Sequence, residues 1–404
     1  MFFGFHLSKN ILFQTKTYKH RSMIYSIPYI TLTTILGISA WWHTKTESKV
    51  IQERIELVNV LFVVFFFGFR GFCFYDWNTY YPAFLHISWN NLMIQNIKDW
   101  EFEPGFMLLM AACKSIVNNY FFFEFVCTII DFYLLIKFLR NKIKNIPLAL
   151  MICISMGGLL YFTDLIRNSI AVLLIINAFG YIEKKQPIPY ILICFVALCF
   201  HSSSLLFFPL YFIINKSLNR WVWLTIFIIG NLIYLLHIPI FLTLISFITG
   251  LISPGLQDKI NSYTLLLPNE EFRLSIGYLE RLLTGILTFC YIRKLRVIRK
   301  NNDIYINSML IYFIMFFYFS EFKTISLRLS NLFGYAYWII WIDLIKCFSI
   351  ENNRKLFVTF IGLYCIFKMW GSTNNIIARY DNILFDSMPY HERVMIFNKY
   401  YNTI

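Results

Sequence analysis

Charge is the scarcest commodity in this chain. Only 14% of its 404 residues are charged, and acids are the rarer sign, with 22 Asp and Glu against 36 Lys and Arg. Soluble domains carry about a quarter charged residues. The nine cysteines lie mostly within apolar runs and form no C-x-x-C pair, which points to neither a disulfide framework nor a zinc knuckle. No internal repeat and no segment resembling a soluble domain is visible, and no small-residue cleavage site follows the first apolar run, which reads as a retained span. What fills the chain is apolar: 58% hydrophobic and 20% aromatic residues, with 44 Phe and 26 Tyr, and a mean hydropathy of +0.60. A soluble fold of this size would leave much of that surface in water, so a cytosolic enzyme is excluded, as are disordered and fibrous chains. The chain belongs in a membrane. Its net charge, 36 − 22 = +14, would suggest nucleic acid in a soluble protein. Here it reads as positive loops held on the cytoplasmic side and drawn to anionic lipid, with no nucleic-acid partner.

Crossing a bilayer core takes about 20 apolar residues in a helix. Candidate spans are 23–42, 55–69, 120–138, 147–162, 168–182, 221–237, 274–292, 304–319, 331–348 and 355–370. The stretch 189–214 carries His201-Ser202-Ser203-Ser204 at its middle and reads as one long tilted helix or two short ones. The expected architecture is an all-α polytopic membrane protein, a single bundle of about 10–12 crossings. A basic extension, 1–22, precedes the bundle of 23–370, and a tail, 371–404, follows it. Fourteen cations in loops (Arg140, Lys142, Lys144, Lys184, Lys185, Lys216, Arg220, Arg293, Lys294, Arg296, Arg299, Lys300, Arg354 and Lys355) against three acids (Glu183, Asp303 and Glu351) assign those loops to the cytoplasm. The opposite face then holds 70–103, 163–167, 253–273, 320–330 and the tail. That parity requires 104–118, short and with Lys114 inside it, to dip without crossing; 239–252 suits the same device.

Ionisable residues at or within spans are the functional candidates. Arg70 ends a span, with Asp76 six residues on; a snorkelling arginine and a solvated loop acid would look the same. Glu101 and Glu103 precede Pro104, where Glu103 could act only on a helix dipole, and the two acids lack a third metal ligand. Asp164 and Arg167, three apart between apolar spans, could simply neutralise each other. His201 lies deep in an apolar stretch, where a packed histidine is the commoner finding. Glu321, Lys323 and Arg328 cluster between two spans. On the charge-derived topology Arg70, Arg167 and Arg328 open to one non-cytoplasmic face, and guanidinium forks suit phosphate oxygens.

From about Met23 to Tyr390 the chain resembles the EpsG-like branch of the Wzy polysaccharide polymerases. The resemblance rests on Arg70 followed by Asp76 and Tyr80, on Glu103-Pro104-Gly105-Phe106, and on Arg167 after Phe162-Thr163-Asp164. It continues with His201-Ser202-Ser203 and Pro209-Leu210-Tyr211-Phe212, then Arg328 three residues before Asn331, and a late Met388-Pro389-Tyr390. It implies a GT-C-like bundle in a bacterial cytoplasmic membrane, with its active site facing the periplasm or exterior. The implied reaction transfers a glycan from undecaprenyl diphosphate to a sugar hydroxyl of a second lipid-linked repeat unit. Partners would be that lipid-linked oligosaccharide, membrane lipid, a chain-length regulator and a flippase. For this chemistry Arg167 and Arg328, then Arg70, would hold the diphosphate. His201 and Glu103, ahead of Asp76, are the candidate bases. Tyr80, Trp77 and Tyr390 would contact sugar; with no DxD motif, neither metal nor cofactor is expected. A flippase or other transporter is the alternative, against which the lack of repeats argues. An acyltransferase using His201 would need an acyl-donor path that no feature supports.

Overall fold

The computed structural model describes residues 22–94, 96–241, 243 and 274–402. Most of the extension 1–22, the outer loop 253–273 and nearly all of the suggested dipping segment 239–252 lie outside the described residues. All regular structure among the described residues is helical apart from two isolated bridges, Arg70 to Asn382 and Asn382 to Asp386.

Local chemistry explains where helices begin. α1 (Ile27–Lys45) has proline in its first turn, and α2 (Lys49–Gly68) follows after a short turn. The short α3 (Trp77–His86), α4 (Trp89–Ile94) and α5 (Pro104–Ile116) come next. Asn119 starts α6 (Tyr120–Arg140) by accepting the Phe121 and Phe122 N–H groups, and Asn145 starts α7 (Ile146–Cys153) by accepting that of Leu148. α8 (Leu159–Thr163) continues α7 beyond a break, and α9 (Ile166–Glu183) and α10 (Pro187–Leu198) form an adjacent pair. A 3-10 turn and α11 (Leu210–Ile213) lead to α12 (Arg220–Leu236), capped by Asn219. The rest of the bundle is α13 (Ile276–Ile298), α14 (Asp303–Phe317), α15 (Lys323–Asn331), α16 (Tyr335–Cys347), α17 (Glu351–Thr373) and, after the loop from 374, α18 (Tyr390–Asn402).

Among the described residues, four helical stretches are long and apolar enough to cross a membrane: Met23–Lys45, Ile146–Thr163, Ile166–Glu183 and Glu351–Thr373. α2, α6 and α13 have comparable length and carry four, four and five charged residues. The stretch 189–214 resolves into two short helical pieces parted at Cys199–His201. The run 147–162, expected as continuous, is broken: Ile154–Gly158 is irregular, with Gly157 at φ +100°. A Cβ there would lie 2.3 Å from Asn331 Oδ1, so this position needs glycine for both conformation and space. The Met156 carbonyl released by the break is taken up by Trp338 Nε1 at 3.1 Å.

The basic loops meet at one end of the bundle. Lys142 pairs with Glu183 at 2.7 Å, and Arg299 grips the buried Asp343 through two bonds of 2.7 and 2.9 Å while donating to the Lys142 carbonyl. Arg296 reaches Asp303 and the Leu218 carbonyl. Along α9, Glu183 at this end is 16 residues from Arg167, or about 24 Å at 1.5 Å per residue. The core is also divided. One large cluster fills the bundle, and a second, around Trp77, Phe84, Phe106 and Phe123, lies under α3, α5 and the start of α6. Phe162 belongs to the first and Ile166 to the second, so Asp164 sits on the seam between them.

Candidate functional site

α9 begins at Ile166, soon after α8 ends, and this turn holds Asp164 at the seam with Arg167 in the first turn of α9. Asp164 Oδ1 accepts the backbone N–H groups of Tyr75 (2.9 Å) and Asp76 (2.6 Å), which fixes the start of α3. One turn into α3, Tyr80 donates its hydroxyl to Asp76 Oδ2 at 3.0 Å and accepts from Arg167 Nε at 3.2 Å. Arg167 Nη1 binds Glu103 Oε2 at 2.5 Å, and its guanidinium lies 4.6 Å from the Phe102 ring centre. Nη2 of Arg167 has no partner among the described residues. A site that looked like an Asp164–Arg167 pair in sequence is therefore an Arg167–Glu103 pair in space.

Glu103 also joins the break after α10. Its Oε1 accepts the Ser202 N–H at 2.9 Å, and the next turn is pinned by Gly105 N–H to the Cys199 carbonyl at 2.7 Å. His201 caps the 3-10 turn by accepting the Ser203 N–H at Nδ1 (3.1 Å), which leaves the proton of the neutral ring on Nε2. Ser203 Oγ bonds to Asn168 Oδ1 at 2.9 Å, returning the chain of contacts to α9. Arg328, exposed on α15, has no hydrogen-bond or ion-pair partner among the described residues, yet its charge acts on Asp76 and Asp164.

Electrostatics separates the three carboxylates. Burial would raise Glu103, but Arg167, backbone N–H groups and His201 outweigh it and hold this carboxyl below its usual range. Burial raises Asp76 despite the Tyr80 hydroxyl, Arg167 and Arg328. Burial, reinforced by the Asp76 carboxylate, pushes Asp164 up to about 7 against the pull of the Asp76 and Tyr75 N–H groups and of Arg328. A carboxyl poised near neutrality, joined through Asp76 and Tyr80 to a guanidinium, suits proton transfer. In the sequence Asp164 stands only as a neighbour that could neutralise Arg167; its burial beside the Asp76 carboxylate is a feature of the fold.

Other expected residues fall elsewhere. Arg70 does not open to this site: it is 2% exposed and closed against Glu124 (3.2 Å), the Phe67 carbonyl (2.6 Å) and Thr128 Oγ1 (3.4 Å). A guanidinium in that depth needs a carboxylate, and Glu124 on α6, unmarked in the sequence, supplies it. Trp77 offers no face to a sugar either; it is 2% exposed, with its indole N–H on the Phe74 carbonyl and its ring among Phe72, Tyr390 and Phe397. Tyr390 stacks on Tyr81 at 4.4 Å, and Tyr80 is buried as the link between Asp76 and Arg167. The side chain of Lys323 lies outside the described residues. Arg167, Glu103, His201 and Asp76 are brought together, with Arg328 acting from α15.

A helical membrane protein with ionised groups gathered at the seam of its bundle is the class these features define. Residues 55–387 match the EpsG family, and the chain belongs to it, a family of polysaccharide polymerase-like membrane proteins. Searches of curated proteins and of solved structures returned no match.

Proposed function

We propose that the protein is a membrane glycosyltransferase that polymerises lipid-linked oligosaccharide repeats at the end of the bundle away from its basic loops. The observation that carries this reading is Arg167, clamped by Glu103 and Tyr80 with one donor unpartnered among the described residues, and joined through Tyr80 and Asp76 to an acid pushed to about 7. The donor is a glycan on undecaprenyl diphosphate. As its glycosidic bond breaks, negative charge moves onto the diphosphate, and Arg167 with Arg328 stabilises it in a site of low dielectric. The Asp76–Asp164 pair accepts the proton of the attacking sugar hydroxyl. Glu103 is too acidic for that task and instead holds Arg167. His201, with its proton on Nε2, is a donor to substrate oxygen. The charge is handled by guanidinium groups, so the reaction runs without a metal ion, and chelation leaves it intact.

The location is the outer face of a bacterial cytoplasmic membrane, in a GT-C-like bundle whose further crossings come from helices such as α2, α6 and α13. The product is a capsular, O-antigen or exopolysaccharide chain, with a flippase supplying substrate and a chain-length regulator acting on product. The test is incubation of purified protein with its lipid-linked repeat in the presence of chelator, followed by sizing of the glycan. A ladder is expected; none with chelator, restored by Mg²⁺ or Mn²⁺, overturns the metal-free scheme. The break at Ile154–Gly158 favours a second reading, a transporter of the same lipid-linked oligosaccharide, because broken helices beside polar cavities mark such proteins. Transbilayer movement of substrate without a ladder would establish that reading instead.

A further inference from the structure

Behind the Asp76–Asp164 pair lies a separate cavity of about 320 Å³. Tyr75 and Leu160 line it, so it shares a wall with the turn that holds Asp164. Its other walls are the break at Ser155–Gly157, Arg281 of α13, Leu327, Ser330 and Asn331 of α15, and Lys368 of α17. The volume is at the lower end of the range of about 300–1,000 Å³ typical of ligand pockets.

The cavity holds two cationic side chains, and several of its donors lack an acceptor among the described residues. Arg281 is 8% exposed; its Nη1 bonds the Gly277 carbonyl and its plane lies 3.9 Å from the Phe316 ring centre, but its buried Nε has no partner. Asn331 Nδ2 is likewise buried without an acceptor. Lys368 makes no hydrogen bond or ion pair among the described residues. Glu280, whose charge acts on both Arg281 and Lys368, is hydrogen-bonded by the hydroxyls of Thr284 (2.8 Å) and Tyr364 (3.5 Å) and forms no ion pair with either cation among the described residues. Burying a guanidinium with an open donor is costly in a low-dielectric core unless an anion completes it. Arg281 Nε, Asn331 Nδ2 and Lys368 Nζ, left without an acceptor among the described residues, suit a phosphate, and the apolar remainder of the wall (Phe74, Met156, Leu159, Met369) suits hydrocarbon.

We infer that this cavity is a second anion-binding chamber, which receives the phosphorylated head and first isoprene units of a second polyprenyl-linked substrate. The inference rests on the polymerase reading, since a polymerase must hold two lipid-linked units at once. Arg167 and Arg328 then hold one diphosphate, Arg281, Lys368 and Asn331 hold the other, and the acidic pair lies on the wall between them. No bond is made or broken in the chamber; it positions.

Native mass spectrometry of the full chain titrated with undecaprenyl phosphate tests the stoichiometry. Two bound lipids are expected for the wild type, one for Arg281→Gln and for Lys368→Met, one for Arg167→Gln, and none for Arg167→Gln with Arg281→Gln. Lys368 is only half-buried, so Lys368→Met keeps the test open if Arg281→Gln fails to fold. A parallel titration with inorganic phosphate separates recognition of the anion alone from recognition of the lipid head. One lipid in the wild type, or two that persist in both Arg281→Gln and Lys368→Met, overturns the chamber. Glycan sizing on the same preparations keeps the two ideas apart: two lipids bound with no ladder refutes the polymerase and leaves the chamber standing.

Discussion

At the residue scale, Arg167 is held by two different bonds and keeps a third donor for a ligand. Lysine at that position keeps the charge but cannot reach Tyr80, Glu103 and a diphosphate together. Arg167→Lys should therefore lower polymerisation almost as far as Arg167→Ala, by roughly 10² to 10³; normal polymer length and rate from Arg167→Lys would remove it from the site. Asp164 makes a separate prediction. Its active form as a base is the carboxylate, so with a carboxyl at about 7 the rate should rise with pH through that value and level off above it. Asp164→Asn should abolish that limb. A wild-type profile already flat from pH 5 to 8 would show that the proton goes elsewhere. By contrast, Arg70 and Glu124 are 2% and 3% exposed as side chains and serve stability. Glu124→Ala leaves an unpaired buried guanidinium and should cost about 3–5 kcal/mol, read as a fall in unfolding temperature in detergent. Ionisable residues in apolar surroundings marked most of these positions in the sequence. Which acid meets which arginine was not legible, because Arg167 passes over Asp164, three residues away, for Glu103, sixty-four residues away.

At the element scale, the site depends on short pieces being docked closely. The start of α5 meets the end of α10 where Gly105 approaches the Cys199 carbonyl; a Cβ at Gly105 would lie 2.8 Å from that oxygen. Gly105→Ala should push the turn away, pull Glu103 from Arg167 and reduce activity while the protein stays folded. Unchanged activity would mean that Glu103 reaches Arg167 by another route. α5 spans 13 residues, about 20 Å at 1.5 Å per residue, and its Lys114 donates to the carbonyls of Phe84, Leu85 and Ile87 at the end of α3. The cation that looked out of place in an apolar helix is a C-terminal cap for its neighbour. Span positions were readable because hydrophobic runs of this length have few alternatives. The break in 147–162 was not, since Met156-Gly157-Gly158 is as apolar as its flanks and only the packing of Asn331 and Trp338 against it fixes the unusual backbone.

At the scale of the whole molecule, charge is segregated. Loops rich in lysine and arginine close one end through Lys142–Glu183 and Arg299–Asp343, while Asp76, Glu103, Asp164 and Arg167 meet about 24 Å away along α9, short of the roughly 30 Å of a bilayer core. Positive loops are retained in the cytoplasm, so the acidic pair and its arginines should open to the opposite side. Single cysteines introduced at positions 76, 99, 164 and 324 should then be labelled by an impermeant reagent in intact cells. Cysteines at 144, 185, 218 and 298 should react only after permeabilisation. Positions 99 and 164 are the decisive pair, because α5, α6 and the broken helix α7–α8 lie between them in sequence. If α5 dips and returns, the even number of remaining crossings keeps both on one face. If α5 crosses, they fall on opposite faces, yet Glu103 and Arg167 are in direct contact. Labelling of 99 and 164 from opposite sides would place that contact within the membrane and remove its access to an outer-face substrate.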